Sequence, residues 1–323
     1  MTRNPSPPAL ERSASAVRGF LNIAKPAGIT SFDVVRRIRR AVGVKRVGHA
    51  GTLDPLATGV LPIAIGDATR FIDGLVDAHK RYRTTIVLGI ETNTYDAEGE
   101  TTATADASRL SDGEIRAALA GFEGTHEQTP PAFSAIKRGG VPAYVSARAG
   151  ETPDLDPRAV NAFALTLHGT QRANELVSLD VSIECSKGYY VRSLAHDLGA
   201  ALGVGGHVAA LSRTAVGPFH LEDAVELERA EALLEAGAWH AIGRSPDVAL
   251  LDADVVILGR ESAATLRRGQ DVRPAPAAIR RVLASGLRVR AYGIDGTFLG
   301  ILQATAVPGQ WHPYRVLTYH ASG

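Results

Sequence analysis

The chain has 323 residues, 45% apolar and 21% charged, enough to bury at least one full core, and its length suggests about two domains. Its single cysteine, Cys185, excludes an intramolecular disulfide and falls short of a structural zinc cluster, which points to a reducing, cytoplasmic setting. No charge-free apolar run reaches the roughly 18 residues of a membrane helix, so no membrane span is expected.

The formal net charge of +1 conceals a segregation. Residues 18 to 83 hold 12 Lys and Arg against 5 Asp (net +7), and residues 91 to 127 hold 2 against 9 acids (net −7). Residues 260 to 290 add 8 Arg against 2 acids (net +6). Two separated basic regions suit a long polyanion better than a small ligand, although a charge run on one helix is more often just a solvated face.

In chain order, residues 1 to 18 are rich in Pro, Ser, Ala and Arg without the apolar core of a secretion signal, and read as a disordered tail. Thr30 and Asp33 form a capping box ahead of Val34, Val35, Ile38 and Val42, with Gly43 as the stop and Arg36, Arg37, Arg39 and Arg40 left on the wet side. A Gly-rich loop from Gly48 to Gly59 leads into a buried strand, Val60 to Ile65. A helix over 68–76 and a strand over 82–90 follow. Residues 124 to 158, with five prolines and four glycines, read as a long irregular insertion of the kind that carries function or disorder. Val177, Leu179, Val181 and Ile183 alternate with polar residues as in a half-buried antiparallel strand, and Gly188 leads into a helix over 192–202. An acidic helical stretch occupies 221–238. Beyond Val248 short strands are separated by Gly turns, with a hairpin of 287–292 and 298–302 around Asp295-Gly296. Strands and helices mix without a βαβ rhythm, so the class is α+β, with a domain boundary near 248.

The densest chemical signal is Gly48-His49-Ala50-Gly51-Thr52-Leu53-Asp54-Pro55-Leu56-Ala57-Thr58-Gly59. Asp-Pro often only opens a turn, and Gly-rich loops often serve backbone geometry. That leaves unexplained a carboxylate, an imidazole and three glycines within twelve positions beside a basic helix. The segment resembles the catalytic motif of the tRNA pseudouridine synthase B family, whose members modify uridine 55 of tRNA. The resemblance continues through Lys25-Pro26, Thr30-Ser31, Lys80-Arg81-Tyr82, Thr94-Tyr95-Asp96, Pro130 to Lys137, Tyr144, Arg148 and Tyr189-Tyr190-Val191-Arg192. Ala24 and Phe32 depart from it, standing where an acid and a polar residue such as His are common.

The resemblance implies that Asp54 is the catalytic carboxylate, Arg192 its partner, and Tyr82 the aromatic that stacks on the target uracil. Tyr190 would line the same pocket, and His49 would fill the space left by flipped nucleotides. Lys25, Lys137 and Arg148 would contact the substrate. An isomerisation that breaks N1–C1′ and rejoins the base through C5 needs neither cofactor nor metal, but it does need an ionised carboxylate aimed at the sugar or base. An adjacent Arg favours that ionised form.

By the same resemblance, residues 19 to 247 form a pseudouridine synthase fold with a mixed, mostly antiparallel sheet. Residues 124 to 152 would be a loop that closes over the tRNA T-arm, and 248 to 323 a β-rich appendage of PUA type that binds RNA. The implied enzyme works alone, without guide RNA, and a monomer is the default expectation. A guide-dependent synthase would share the motif without needing its own T-arm-gripping insertion, and a non-catalytic RNA-binding module would not need Asp54, Tyr82 and Arg192 together.

Overall fold

The computed structural model describes residues 17–134, 136–138, 140–150, 155–251, 253–274 and 286–317; most of the expected N-terminal tail lies outside them. The chain begins with β1 (Gly19–Lys25), α1 (Ser31–Val42), β2 (Val47–His49) and β3 (Thr58–Ile65). A 3-10 turn over Gly66–Phe71 and the short helix α2 (Ile72–Val76) occupy the segment expected as one helix. Then come β4 (Lys80–Leu88), β5 (Ile90–Thr92), β6 (Thr101–Thr104), α3 (Asp112–Ala120) and β7 (Gly124–Gln128). Two short strands, β8 (Lys137–Arg138) and β9 (Val141–Pro142), precede α4 (Ala143–Arg148), β10 (Arg158–Ala173), β11 (Leu176–Cys185), α5 (Val191–Ala201) and β12 (Gly206–Val216). The first unit ends with β13 (Phe219–His220), β14 (Val225–Glu226) and α6 (Leu227–Glu235).

Helix α1 forms as its capping residues require. The Thr30 hydroxyl accepts from the Asp33 N–H and the Asp33 carboxylate accepts from the Thr30 N–H, both at 3.1 Å, and Gly43 ends the helix at φ 71°. Arg36, Arg39 and Arg40 are exposed, but Arg37 turns onto α6 and pairs with Glu228 and Glu231, so that part of the basic face is already neutralised.

One ten-stranded sheet runs β14-β1-β3-β12-β4-β11-β10-β7, with β2 beside β3 and β13 beside β12. Its pairings are antiparallel except β1/β14 and β3/β12, which makes it mixed and mostly antiparallel, as expected. The strand patterns follow burial. Leu61, Ile63 and Ile65 of β3 join the main core while Val60 and Ala64 join a second cluster on the other face, hence a continuous apolar run. In β11 only the alternate face is buried, and the polar face carries ion pairs from Asp180 to Arg83 and from Glu184 to Arg81. The irregular stretch expected from 124 begins later, because Gly124–Gln128 is a sheet-edge strand paired with β10.

The C-terminal unit comprises β15 (Val255–Leu258), α7 (Arg260–Arg267), β16 (Arg288–Gly293), β17 (Phe298–Ala304) and β18 (Trp311–Val316), in a four-stranded sheet of that order. Residues 298–304 and 288–293 form the expected hairpin, with Gly296 at φ 77°. The unit is not a loose appendage. Phe298, Ile301 and Leu317 share a buried cluster with Phe71, Leu75, Val216 and Ala249, and the Phe71 and Phe298 rings lie 5.6 Å apart. Truncation near Val248 is therefore expected to lower the melting temperature of the remaining unit, since each large apolar side chain left exposed forfeits about 1.5–3 kcal/mol. Thermal melts by circular dichroism check this; an unchanged midpoint would mean the cluster closes over without its C-terminal members.

Candidate active site

Asp54 sits in the loop joining β2 to β3, and the loop is held from below. Ser31, the first residue of α1 and almost fully buried, donates to the Leu53 carbonyl at 3.1 Å and accepts from the Leu53 N–H at 2.8 Å. The Gly28 N–H donates to the Pro55 carbonyl at 2.8 Å. Lys25 donates to the carbonyls of Pro26, Ile29 and Pro55 at 2.8, 2.7 and 3.2 Å. Lys25, expected to contact the substrate, is 1% exposed, and its ammonium ties the Asp54 loop to β1. Burial lowers its pKa to about 8, against the opposing pull of Asp54 and Glu98.

Arg192 lies in the first turn of α5, 4% exposed. Its Nε faces Asp54 Oδ2 at 3.0 Å. One terminal nitrogen donates to the Thr94 carbonyl at 3.0 Å and lies 3.5 Å from Asp96 Oδ2; the other donates to the Phe133 carbonyl at 3.0 Å. The fork is therefore not spent on Asp54 alone. Two backbone carbonyls and the buried Asp96 aim the guanidinium, which meets Asp54 through an ion pair at Nε. Asp96 is itself fixed by the Thr94 hydroxyl at 2.6 Å and the Glu98 N–H at 3.1 Å.

Asp54 stands where two cavities meet. The inner one, about 350 Å³, is lined by Lys80, Tyr82, Tyr189, Tyr190, Leu211 and Arg213 beside Asp54 and Arg192. The outer one, about 670 Å³, adds Phe32, His49, Pro55, Asp96, Glu98 and Phe133 to the same pair. Both volumes fall in the range of small-molecule sites, about 300–1,000 Å³. The structure thus brings Asp54, Arg192, Tyr82 and Tyr190 together and sets His49 in the adjoining lobe. Lys137 and Arg148 fall in β8 and α4, and their side chains lie outside the described residues.

Burial raises the Tyr82 hydroxyl pKa, with Arg213 beside it pulling the other way. Burial also raises that of Tyr190, and the Asp54 carboxylate adds to it. Gln128 of β7 clamps the Tyr190 backbone, accepting from its N–H at 2.7 Å and donating to its carbonyl at 2.9 Å. Burial, with Arg213 nearby, holds the His49 imidazole below its usual pKa, so the ring is neutral near pH 7 and suited to stacking. His49→Ala is expected to reduce kcat/KM about tenfold while leaving detectable turnover, the scale of removing a single stacking interaction. Single-turnover assays check this; complete loss would assign His49 a proton-transfer role.

Arg213 is a site residue that no sequence pattern singles out. It is 1% exposed on β12, directly across from Tyr82 of β4, and donates to the carbonyls of Val60, Gly51 and Thr52 at 2.8, 3.0 and 3.4 Å. Close approach of β12 also explains Gly59: at φ 101° its α-carbon faces the Arg213 backbone, and a Cβ would lie 2.3 Å from the Arg213 carbonyl oxygen. The one signal available in sequence is a lone Arg in a strand with no other Lys, Arg, Asp or Glu.

The N-terminal domain of TruB family pseudouridylate synthases matches residues 39–191, and the tRNA pseudouridylate synthase B C-terminal domain matches 192–252. A tRNA pseudouridine synthase B from Dinoroseobacter shibae is 42% identical over 310 residues, covering 96% of this chain and 98% of its own. Another from Thiobacillus denitrificans is 42% identical over 308 residues, 95% and 98% of the two chains. The chain belongs to the TruB family. A chain in an H/ACA RNP bound to a substrate RNA containing 2′-deoxyuridine shares the fold, with a TM-score of 0.68 at 21% identity over 94% of this chain and 86% of that one. Both TruB domain matches end before the β-rich C-terminal sheet begins at Val255, whereas the two bacterial relatives extend across it. None of the described helices is long and apolar enough to cross a membrane.

Proposed function

We propose that this chain isomerises uridine 55 in the T-loop of tRNA to pseudouridine, with Asp54 as the catalytic carboxylate. The observation that carries the reading is the Asp54–Arg192 pair at 3.0 Å, placed between a tyrosine-lined inner lobe and an outer lobe. A base inside a T-loop is reached only by flipping, at a cost of a few kcal/mol. The inner lobe receives the flipped uracil against Tyr82, which leaves the ribose beside Asp54. From there Asp54 either adds to C1′ or removes the C2′ proton; both routes break N1–C1′ and use the same carboxylate. The uracil then turns within the lobe and C5 bonds to C1′, as the Asp54–C1′ bond breaks on the first route or as Asp54 returns its proton to C2′ on the second; the C5 proton is lost and N1 gains one, so atoms balance without an external donor. Arg192 orients Asp54 through their ion pair, and the Tyr82 hydroxyl serves proton transfer at the base.

In this reading the enzyme works alone in the cytoplasm as a monomer on the T-arm, with the segment 129–152 and the PUA-like unit from 248 gripping RNA. Incubating purified protein with a bare T-arm hairpin tests it. Conversion of the T-loop uridine without added RNA is expected; conversion only with a guide RNA would favour the guide-dependent class, and binding without conversion a non-catalytic module. The C-terminal unit supplies affinity through its exposed arginines. Replacing both Arg268 and Arg273 by Gln is expected to weaken binding of whole tRNA and to flatten the slope of log affinity against log salt by roughly one unit for each phosphate no longer neutralised. An unchanged slope would return these arginines to a solvated surface.

A further inference from the structure

Phe32 departs from the family pattern, and the core has no use for it. The buried face of α1 is formed by Val34, Val35, Ile38 and Ala41. Phe32, in the first turn, is 63% exposed, the highest exposure among the large apolar side chains of the described residues. It is not an isolated surface aromatic, because it forms part of the wall of the outer lobe, with His49, Pro55 and Phe133.

The charge of that lobe limits what can occupy it. Asp54, Asp96 and Glu98 line it, and among the described residues Arg192 is its one lining Lys or Arg, already held by two of those carboxylates. A phosphate placed there would face uncompensated negative charge. A neutral nucleobase would not, and it would find an aromatic face ready for stacking. Arg36, one turn along α1, is exposed outside the lobe and pairs with Asp33 at 2.8 Å.

The two lobes share Thr52, Leu53, Asp54, Ser134 and Arg192, so the outer one lies within reach of the nucleotide covalently next to a uridine bound in the inner lobe. We propose that Phe32 stacks on the nucleobase adjacent to the target uridine, making the outer lobe a second base-binding site. This rests on the isomerase reading above.

A double-mutant cycle across the interface tests it. Wild-type protein and Phe32→Leu, which keeps an apolar side chain but loses the ring, are each assayed on an intact T-arm hairpin. They are then assayed on hairpins made abasic at the 5′ or the 3′ neighbour of the target. Circular dichroism confirms folding, and Phe163→Leu, an exposed aromatic that lines neither lobe, serves as control. The expected result is a roughly tenfold lower kcat/KM for Phe32→Leu on the intact hairpin, and a similar loss for wild type on one abasic hairpin. Combining the two should bring little further loss, because the shared stacking interaction is already absent. Additive losses at both neighbours, or Phe32→Leu equal to wild type, would overturn the stacking assignment. Failure of wild type to convert the intact hairpin would instead overturn the isomerase reading itself.

Discussion

Asp54→Asn is expected to lower isomerisation by more than about a thousandfold, the scale on which loss of a covalent or charged catalytic group is felt, while leaving the fold and hairpin binding intact. Asn has nearly the same volume, but it lacks the charge and replaces one acceptor oxygen by an NH2 donor. The loop that carries it is held through main-chain groups, by Ser31 at Leu53 and by Lys25 and Gly28 at Pro55, so the substitution removes none of those ties. Arg192 would lose one partner and keep Asp96 and two carbonyls, which should hold the cavity open. Single-turnover conversion and hairpin affinity, measured side by side, separate chemistry from binding. Activity within about tenfold of wild type would remove Asp54 from its assigned role.

Arg192→Lys is the second large effect expected, and the structure changes its explanation. The close contact of Arg192 with Asp54 is Nε to Oδ2 at 3.0 Å. The stronger reason is that one planar group simultaneously serves Asp54, Asp96, Thr94 and Phe133, from a position 4% exposed. An ammonium on a flexible stem keeps the charge and cannot span those four directions. Unmatched buried acceptors should cost both stability and geometry, since disrupting a buried pair costs about 3–5 kcal/mol when one partner is lost entirely. We expect kcat to fall by about a hundredfold or more, with a melting temperature lower by a few degrees. If Arg192→Lys turned over like wild type, the ion pair would have no catalytic part.

Much of the site is legible before folding is considered. The capping box at Thr30, the stop at Gly43, the alternation in 177–183 and the hairpin at Gly296 each depend on residues a few positions apart, and each appears where the pattern puts it. The site motif is legible as well, because a loop between two strands carries its residues in sequence. Long side chains are where pattern misleads. Helical spacing sends Arg37 to solvent, yet it finds Glu231 of α6, 194 residues away.

Taken alone, then, the amino-acid order determined the α+β class, the hairpin at Gly296 and the placement of Asp54 in a loop between strands, while the mostly antiparallel sheet was implied only by the family resemblance. Periodicity and turn chemistry act over two to four residues and need no tertiary contact to be read. Only the folded chain decided that Arg213 reaches Gly51 across 162 residues of sequence, that Asp96 shares Arg192 with Asp54, and that the C-terminal sheet is joined to the first unit through Phe71 and Phe298. These depend on which strands pair and on which faces meet. A lone Arg in a strand looks the same in sequence whether it faces water or closes a catalytic cavity, and burial with hydrogen-bond partners, set by the whole fold, makes the difference.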